Sequence, residues 1–210
     1  MKQARIYAFG DSTVAGTYDS GGGWVDRLKR DFHLLTQAAP DGTKRQVYNL
    51  GIGGETSRGL SRRIDAELAA RHTPAWPAIC LIGTGKNDSR LKGDQPEVPL
   101  QEYGRNLEVV IASARKVTSK IVVVGLGPCA KAEVNFKDYT YTRKRLRQYD
   151  ACSSEVSARL QVFKIDLYDL LLSTPSAEVF YRDGLHLSDW GYELIYSAVK
   201  PVVEKLLAED

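Results

Sequence analysis

The chain has 210 residues and a formal net charge of +3 at pH 7, and hydrophobic residues make up 43% of it. This length and composition are typical of one globular domain, which we place at residues 1–210. So mild a positive charge argues against a nucleic-acid partner, because nucleic-acid-binding domains concentrate basic residues on one face.

The three cysteines do not follow a metal-binding or disulfide pattern. Cys80, Cys129 and Cys152 are odd in number and widely spaced, and no cysteine pair or Cys/His cluster has zinc-ligand spacing. The first apolar run, residues 6–9, is too short for a secretory signal, and no run reaches the roughly 18 residues of a membrane span. We therefore expect a cytoplasmic protein that holds no metal.

Strand-like and helix-like segments alternate along the chain. In chain order, we predict a strand at 6–9, a helix at 24–35, a strand at 46–50, a helix at 60–68, a strand at 78–82, a helix at 103–117, strands at 121–125 and 162–167, and a helix at 194–207. The strands are apolar at successive positions, as in a parallel sheet that helices cover on both faces. The order predicts an α/β fold whose central parallel sheet has about five strands.

The remaining polar segments are interpreted as loops. Residues 91–99 and 128–138 carry prolines and glycines and are too short to separate two domains. Residues 137–149 mix tyrosines with arginines and lysines, and this pattern has two interpretations: a solvated helix face, or a basic aromatic wall beside a binding cleft. Ser188 is positioned to cap the last helix.

Polar residues follow the predicted strands at the points where a parallel sheet binds ligands. Asp11 and Ser12 follow the first strand, residues 49–56 the second and residues 83–88 the third, and residues 183–186 precede the last helix. Ligands of open α/β sheets bind beyond the carboxyl ends of the strands. We therefore expect these four segments to gather at one edge of the sheet.

The residue types in these segments suit acyl transfer. A serine hydroxyl becomes nucleophilic when a base takes its proton, and His186 is the histidine that lies in the predicted site, three residues after Asp183. His33 and His72 lie within a predicted helix and at a helix end. A carboxylate on the far ring nitrogen would orient the imidazole, which gives Ser12, His186 and Asp183 the roles of nucleophile, base and orienting group.

A tetrahedral intermediate also needs donors for its oxyanion. The backbone N–H groups of Ser12 and Gly54 and the side-chain amide of Asn87 are the candidates, and a glycine at 54 lets the backbone approach a substrate closely. Asp11 is predicted to hold the nucleophile loop by accepting backbone N–H bonds.

These motifs resemble those of the SGNH hydrolases, also called the GDSL esterase/lipase family. Gly10-Asp11-Ser12 is similar to the first block, residues 49–57 to the second, Gly85-Lys86-Asn87-Asp88 to the Gly-x-Asn-Asp of the third, and Asp183-Gly184-Leu185-His186 to the closing Asp-x-x-His. The similarity runs from residue 10 to residue 186. Within the second block the alignment selects Gly54 as the oxyanion donor, with Gly53 as its neighbouring alternative.

The resemblance implies a flavodoxin-like three-layer α/β/α sandwich in which the first strand lies between the second and third. It also implies a small-molecule ester substrate and neither a metal nor an organic cofactor. Lys86 departs from the family, where a small residue is common, and we expect it either to attract anionic substrates or to point into solvent.

The alternative hypothesis is a flavodoxin-like module that binds a nucleotide or flavin without hydrolysing anything. Residues 51–54 are glycine-rich and lie between a strand and a helix, as a phosphate loop would. However, Thr56 replaces the third glycine of that motif, and Glu55 places negative charge where a phosphate would bind. We therefore predict a serine ester hydrolase for small acyl esters, with acetylated carbohydrates and lysophospholipid-like esters among the candidates.

Overall fold

A computed structural model describes residues 3–209; Met1, Lys2 and Asp210, which belong to the predicted domain, lie outside the described residues. The strands are β1 Gln3–Gly10, β2 Lys44–Gly51, β3 Ala78–Gly83, β4 Leu91–Lys92, β5 Gln95–Pro96, β6 Ile121–Val124, β7 Glu133–Phe136, β8 Tyr139–Thr142 and β9 Phe163–Ile165. The helices are α1 Ser12–Ala15, α2 Gly23–Ala38, α3 Ser57–Arg71, α4 Leu100–Arg115, α5 Arg143–Arg159, α6 Tyr168–Ser173, α7 Ser176–Val179 and α8 Asp189–Ala208.

The central sheet has five parallel strands in the order β2-β1-β3-β6-β9. The expectation that β1 lies between β2 and β3 is therefore confirmed. Each predicted strand overlaps an observed one, and β9 is shorter than its predicted range of 162–167.

Helices cover both faces of this sheet. Side chains of alternate strand residues point to opposite faces, so Tyr7 and Phe9 pack in a core with α3, α4 and α5, while Ile6 and Ala8 pack in a second core with α2 and α8. Burial on both faces explains why the strands are apolar at successive positions. The three-layer α/β/α sandwich expected from the sequence is confirmed.

A second, smaller sheet corrects the sequence-based interpretation of two loops. Four short antiparallel strands pair in the order β5-β4-β8-β7, which we call the auxiliary sheet. It includes residues from both predicted loops, 91–99 and 128–138, and Leu91 pairs with Thr140 across it. Strands of two to four residues have too few positions to show a period-2 pattern, and their pairing depends on contacts about 50 residues apart in the chain.

The last helix begins as the sequence predicts. The Ser188 hydroxyl accepts a hydrogen bond from the Gly191 N–H at 3.1 Å and so caps α8.

Within residues 3–209, no helix is both long and apolar enough to cross a membrane.

Candidate active site

Three neighbouring strands of the central sheet end at the same level. Gly10, the last residue of β1, pairs with Gly51 of β2 and with Gly83 of β3. A Cβ on Gly10 would lie 2.0 Å from the Gly83 carbonyl oxygen, so this close approach requires glycine. The segments that follow the three strands therefore start side by side.

Ser12 begins the short helix α1 immediately after β1. The Asp11 side chain caps this helix by accepting a hydrogen bond from the Thr13 N–H at 2.9 Å. The contact is the one expected of Asp11, and it holds the backbone on both sides of Ser12. Ser12 is 8% exposed, so it is sheltered, and it lines the cleft described below.

Asp183 and His186 form a close pair in the loop before α8, which we call the histidine loop (residues 183–186). His186 Nδ1 lies 2.7 Å from Asp183 Oδ2. The other carboxylate oxygen, Oδ1, accepts hydrogen bonds from the N–H groups of Leu185 and His186, each at 2.9 Å. One carboxylate thus closes the turn and orients the imidazole, and it leaves Nε2 as the ring nitrogen available to a second group.

The environment moves the pKa of both members of this pair. Burial lowers the pKa of His186, the hydrogen bond to Asp183 opposes this, and the positive charges of Lys86 and Lys137 lower it further. Burial raises the pKa of Asp183, but hydrogen bonds from His186 and Leu185 outweigh it and leave that pKa below its ordinary value. At neutral pH we therefore expect an ionised Asp183 beside a neutral imidazole.

Five of the seven predicted site residues line one cleft of about 360 Å³, and Asp11 and Asp183 are not part of its lining. Its lining includes Ser12, Gly53, Gly54, Asn87 and His186. The other two histidines lie elsewhere, since His33 is exposed on α2 and His72 ends α3. The structure thus brings together the predicted nucleophile, base and oxyanion donors, from segments up to about 170 residues apart in the chain.

The two glycines of the second block both border this cleft. Gly54 has φ = 80°, in the left-handed region that favours glycine, and a Cβ there would meet nothing within 4 Å. Gly53 also has open space beside it. Both positions leave the backbone accessible to a substrate, and Gly54 is the one whose conformation itself calls for glycine.

Hydrogen bonds fix the orientation of the Asn87 amide. Its Nδ2 donates to the Glu55 carbonyl oxygen at 2.9 Å, and its Oδ1 accepts from the Tyr141 hydroxyl at 2.9 Å. Arg90 lies near the same oxygen, with Nη1 at 3.4 Å. Because an amide nitrogen has two hydrogens, Nδ2 retains one donor for another acceptor. Sequence reasoning missed Tyr141 in this role; the alternation of tyrosine and threonine at 139–142 is the signal for a strand there.

Lys86 follows neither of the two alternatives predicted for it. Its side chain is buried, with 8% of the residue exposed, and Nζ donates a hydrogen bond to the Leu185 carbonyl oxygen at 2.7 Å. It therefore neither reaches solvent nor lines the cleft. The reason is tertiary, because the residue after Gly85 points beneath the histidine loop.

Aromatic side chains surround the His186 ring. Tyr18 and Phe136 contact it edge-on, with ring centroids 5.0 and 5.3 Å away.

For segment 137–149, two interpretations were given: a basic aromatic wall beside the cleft, or a solvated helix face. Its first part agrees with the wall, since Tyr139 and Tyr141 of β8 line the cleft. Its later residues, from Arg143 on, belong to helix α5.

Among residues 3–209, no group of three or more His, Cys, Asp or Glu side chains is arranged to hold a metal ion.

Known proteins are similar to this chain in both sequence and fold. The model of the GDSL-like lipase/acylhydrolase family matches residues 8–194. The chain is 26% identical to the Homo sapiens isoamyl acetate-hydrolyzing esterase 1 homolog over 216 residues, covering 96% of this chain and 82% of that protein. It is 30% identical to the isoamyl acetate-hydrolyzing esterase of Schizosaccharomyces pombe over 166 residues, covering 76% of this chain and 62% of that one.

A solved structure of a protein from the same class has a fold similar to that of this chain. The lipase/acylhydrolase from Enterococcus faecalis superimposes with a TM-score of 0.72 at 26% identity, covering 95% of this chain and 94% of the other. The family match spans nearly all of the chain and includes the four segments predicted from the sequence to gather at the site. The chain therefore belongs to the GDSL-like lipase/acylhydrolase family and is a carboxylic ester hydrolase.

Proposed function

We propose that Ser12 attacks the ester carbonyl while His186 Nε2 takes the hydroxyl proton and Asp183 orients the ring. The observation that carries this proposal is the 2.7 Å contact between His186 Nδ1 and Asp183 Oδ2, in the histidine loop of the cleft that Ser12 lines. The imidazolium formed in this step then protonates the departing alcohol. Water hydrolyses the acyl-enzyme by the same route, and Ser12 regains its proton.

The oxyanion of each tetrahedral intermediate is held by the N–H groups of Ser12 and Gly54 and by Asn87 Nδ2. Asn87 is buried and its amide is held by Glu55 and Tyr141, so the remaining N–H is oriented before substrate binds. Such preorganised donors stabilise the transition state without reorganising during the reaction.

The substrate proposed here is an ester of a small acyl group, with acetate esters of short alcohols as the first choice. A cleft of about 360 Å³ is at the small end of ligand sites. The names of the human and yeast relatives refer to isoamyl acetate, which is an ester of this class. Acetylated carbohydrates and lysophospholipid-like esters are the competing substrates. Family membership argues against the alternative hypothesis of a nucleotide- or flavin-binding module.

The direct test is the variant Ser12→Ala, assayed with p-nitrophenyl acetate and labelled with a fluorophosphonate. We expect loss of turnover by on the order of 10³-fold or more and loss of labelling, because both need the hydroxyl. The matched control is Ser20→Ala, which removes an exposed hydroxyl a few residues away. Unchanged turnover in Ser12→Ala would reject the assignment.

The substrate class is tested separately. We would compare kcat/KM for isoamyl acetate, p-nitrophenyl esters of increasing acyl length, acetylated xylose and a lysophospholipid. The expected order has acetate esters first and a steep fall beyond a four-carbon acyl chain. A preference for the lysophospholipid would retain the mechanism and overturn this substrate.

A further inference from the structure

A buried lysine lies beneath the histidine loop, outside the groups that the proposed mechanism uses. Lys86 belongs to the loop after β3 (residues 84–90, here the β3 loop), and its Nζ donates to the Leu185 carbonyl oxygen at 2.7 Å. Leu185 immediately precedes His186. The hydrogen bond therefore joins the loop that carries Asn87 to the loop that carries the histidine.

Burying this ammonium group is costly, because a charged group loses its hydration in the protein interior. Burial lowers the pKa of Lys86, and Asp11, Cys129 and Asp183 act in the opposite direction. Asp11 immediately precedes Ser12, and Asp183 belongs to the histidine loop. Lys86 thus lies where three of the four site segments meet.

We propose that Lys86 is a positioning residue that ties the histidine loop to the β3 loop and places its side-chain nitrogen directly beneath the backbone that precedes His186. This inference rests on the proposed function, in which His186 acts as the base. The hydrogen bond from Lys86 to Leu185 fixes the position of the His186 backbone relative to the β3 loop. The charge disfavours protonation of the free enzyme, so the imidazole remains able to accept a proton at lower pH.

The groups that face His186 determine the sign of the effect. Asp183 favours the imidazolium, whereas Lys86 beneath the loop and Lys137 in the turn between β7 and β8 disfavour it, and the rings of Tyr18 and Phe136 flank it. A lowered His186 pKa keeps the ring neutral to lower pH and so extends kcat/KM toward acid. Removing the Lys86 charge must therefore move the acid limb of the pH profile to higher pH.

The test is the pH dependence of kcat/KM for Lys86→Met, which retains an unbranched side chain and removes the charge and the donor. We expect the acid limb to move up by about half a pH unit or more. We also expect kcat on the plateau to fall about 10-fold, with little change in KM, because the base loses its backbone support. Lys137→Met is the comparison: it removes an exposed cation, which solvent screens, and should move the limb less.

Lys86→Gln separates the two roles, since it keeps a hydrogen-bond donor without the charge. It should reproduce the pH shift and recover part of the plateau kcat, and it also serves if Lys86→Met does not fold. Titration of the His186 ring by NMR, assigned with His186→Gln, measures the same shift without any assay. A wild-type ring titration and pH profile in both Lys86 variants would overturn this inference. Full activity of Ser12→Ala would instead overturn the proposed function, so the two failures are distinguishable.

Discussion

The two oxygens of a single carboxylate organise the histidine loop. Asp183 Oδ1 accepts two backbone N–H bonds and Oδ2 contacts the His186 ring, so turn geometry and ring orientation depend on the same side chain. An aspartate three residues before the histidine reaches both the loop backbone and the ring. The spacing seen in the sequence thus has a local structural reason as well as a chemical one.

The isosteric variant Asp183→Asn separates these two contributions. Its amide oxygen can still accept the backbone bonds, but its NH₂ group would donate to Nδ1 and place the ring proton on Nε2, where the serine proton must go. We expect kcat to fall on the order of 10³–10⁴-fold while the thermal unfolding midpoint changes little. A fall of less than 10-fold would mean that His186 does not need this partner.

At the scale of elements, the cleft is built by two sheets. The segments that follow strands of the central sheet supply Ser12, Gly54 and Asn87, and the auxiliary sheet supplies Tyr141 from β8. Tyr141 is 1% exposed, so its hydroxyl is held against the Asn87 amide without competition from solvent. The auxiliary sheet, although small, therefore orients the Asn87 amide, which lies in the loop after β3 of the central sheet.

Tyr141→Phe tests this role of the auxiliary sheet. Without the hydroxyl, Asn87 Oδ1 loses a donor and the amide can rotate, so kcat should fall about 10-fold with KM nearly constant. The control is Tyr7→Phe, which removes a buried hydroxyl bonded to the Arg71 carbonyl oxygen, far from the cleft. In an Asn87→Ala background, Tyr141→Phe should have no further effect on kcat, and an additive loss would contradict the coupling.

Helix caps allow a matched comparison of stability. Ser188 caps α8 through its hydroxyl, whereas Thr56 occupies the N-cap position of α3 without a side-chain cap bond. Ser188→Ala should lower the free energy of unfolding by about 1 kcal/mol and Thr56→Ala by much less. Urea denaturation of both variants measures the difference, and equal losses would show that the cap bond of Ser188 contributes nothing.

At the scale of the whole molecule, stability depends on two cores separated by one sheet. Leu81 and Ile82 are adjacent in β3 and both are fully buried, yet they belong to opposite cores. The parallel sheet is therefore covered on both faces, and its edge remains the place where polar loops can gather.

Truncation on either face should be costly. We expect Leu81→Ala and Ile82→Ala each to lower the free energy of unfolding by about 2–5 kcal/mol, since each leaves a cavity in a closed core. Leu34→Ala is the control, because Leu34 is 57% exposed. Chemical denaturation measures all three; a small effect for one β3 variant would mean that its face is loosely packed.

Much of this architecture follows from local features of the sequence. Successive apolar positions predicted the buried parallel strands, and polar residues directly after those strands located the cleft, because parallel strands share one carboxyl edge. The Asp-x-x-His spacing predicted the pairing of Asp183 with His186, because a carboxylate on the far ring nitrogen orients the imidazole of a catalytic base. All of these depend on neighbours in the chain or on the general geometry of α/β sheets.

Other features were decided by tertiary structure alone. The auxiliary sheet pairs Leu91 with Thr140, Tyr141 reaches Asn87, and Lys86 turns beneath Leu185, and each contact joins residues about 50 or more positions apart. No local pattern specifies such contacts, because they depend on how whole elements pack. The sequence by itself determined the fold, the family and four of the segments that gather at the cleft, while three-dimensional packing decided which further side chains line it and hold those segments in place.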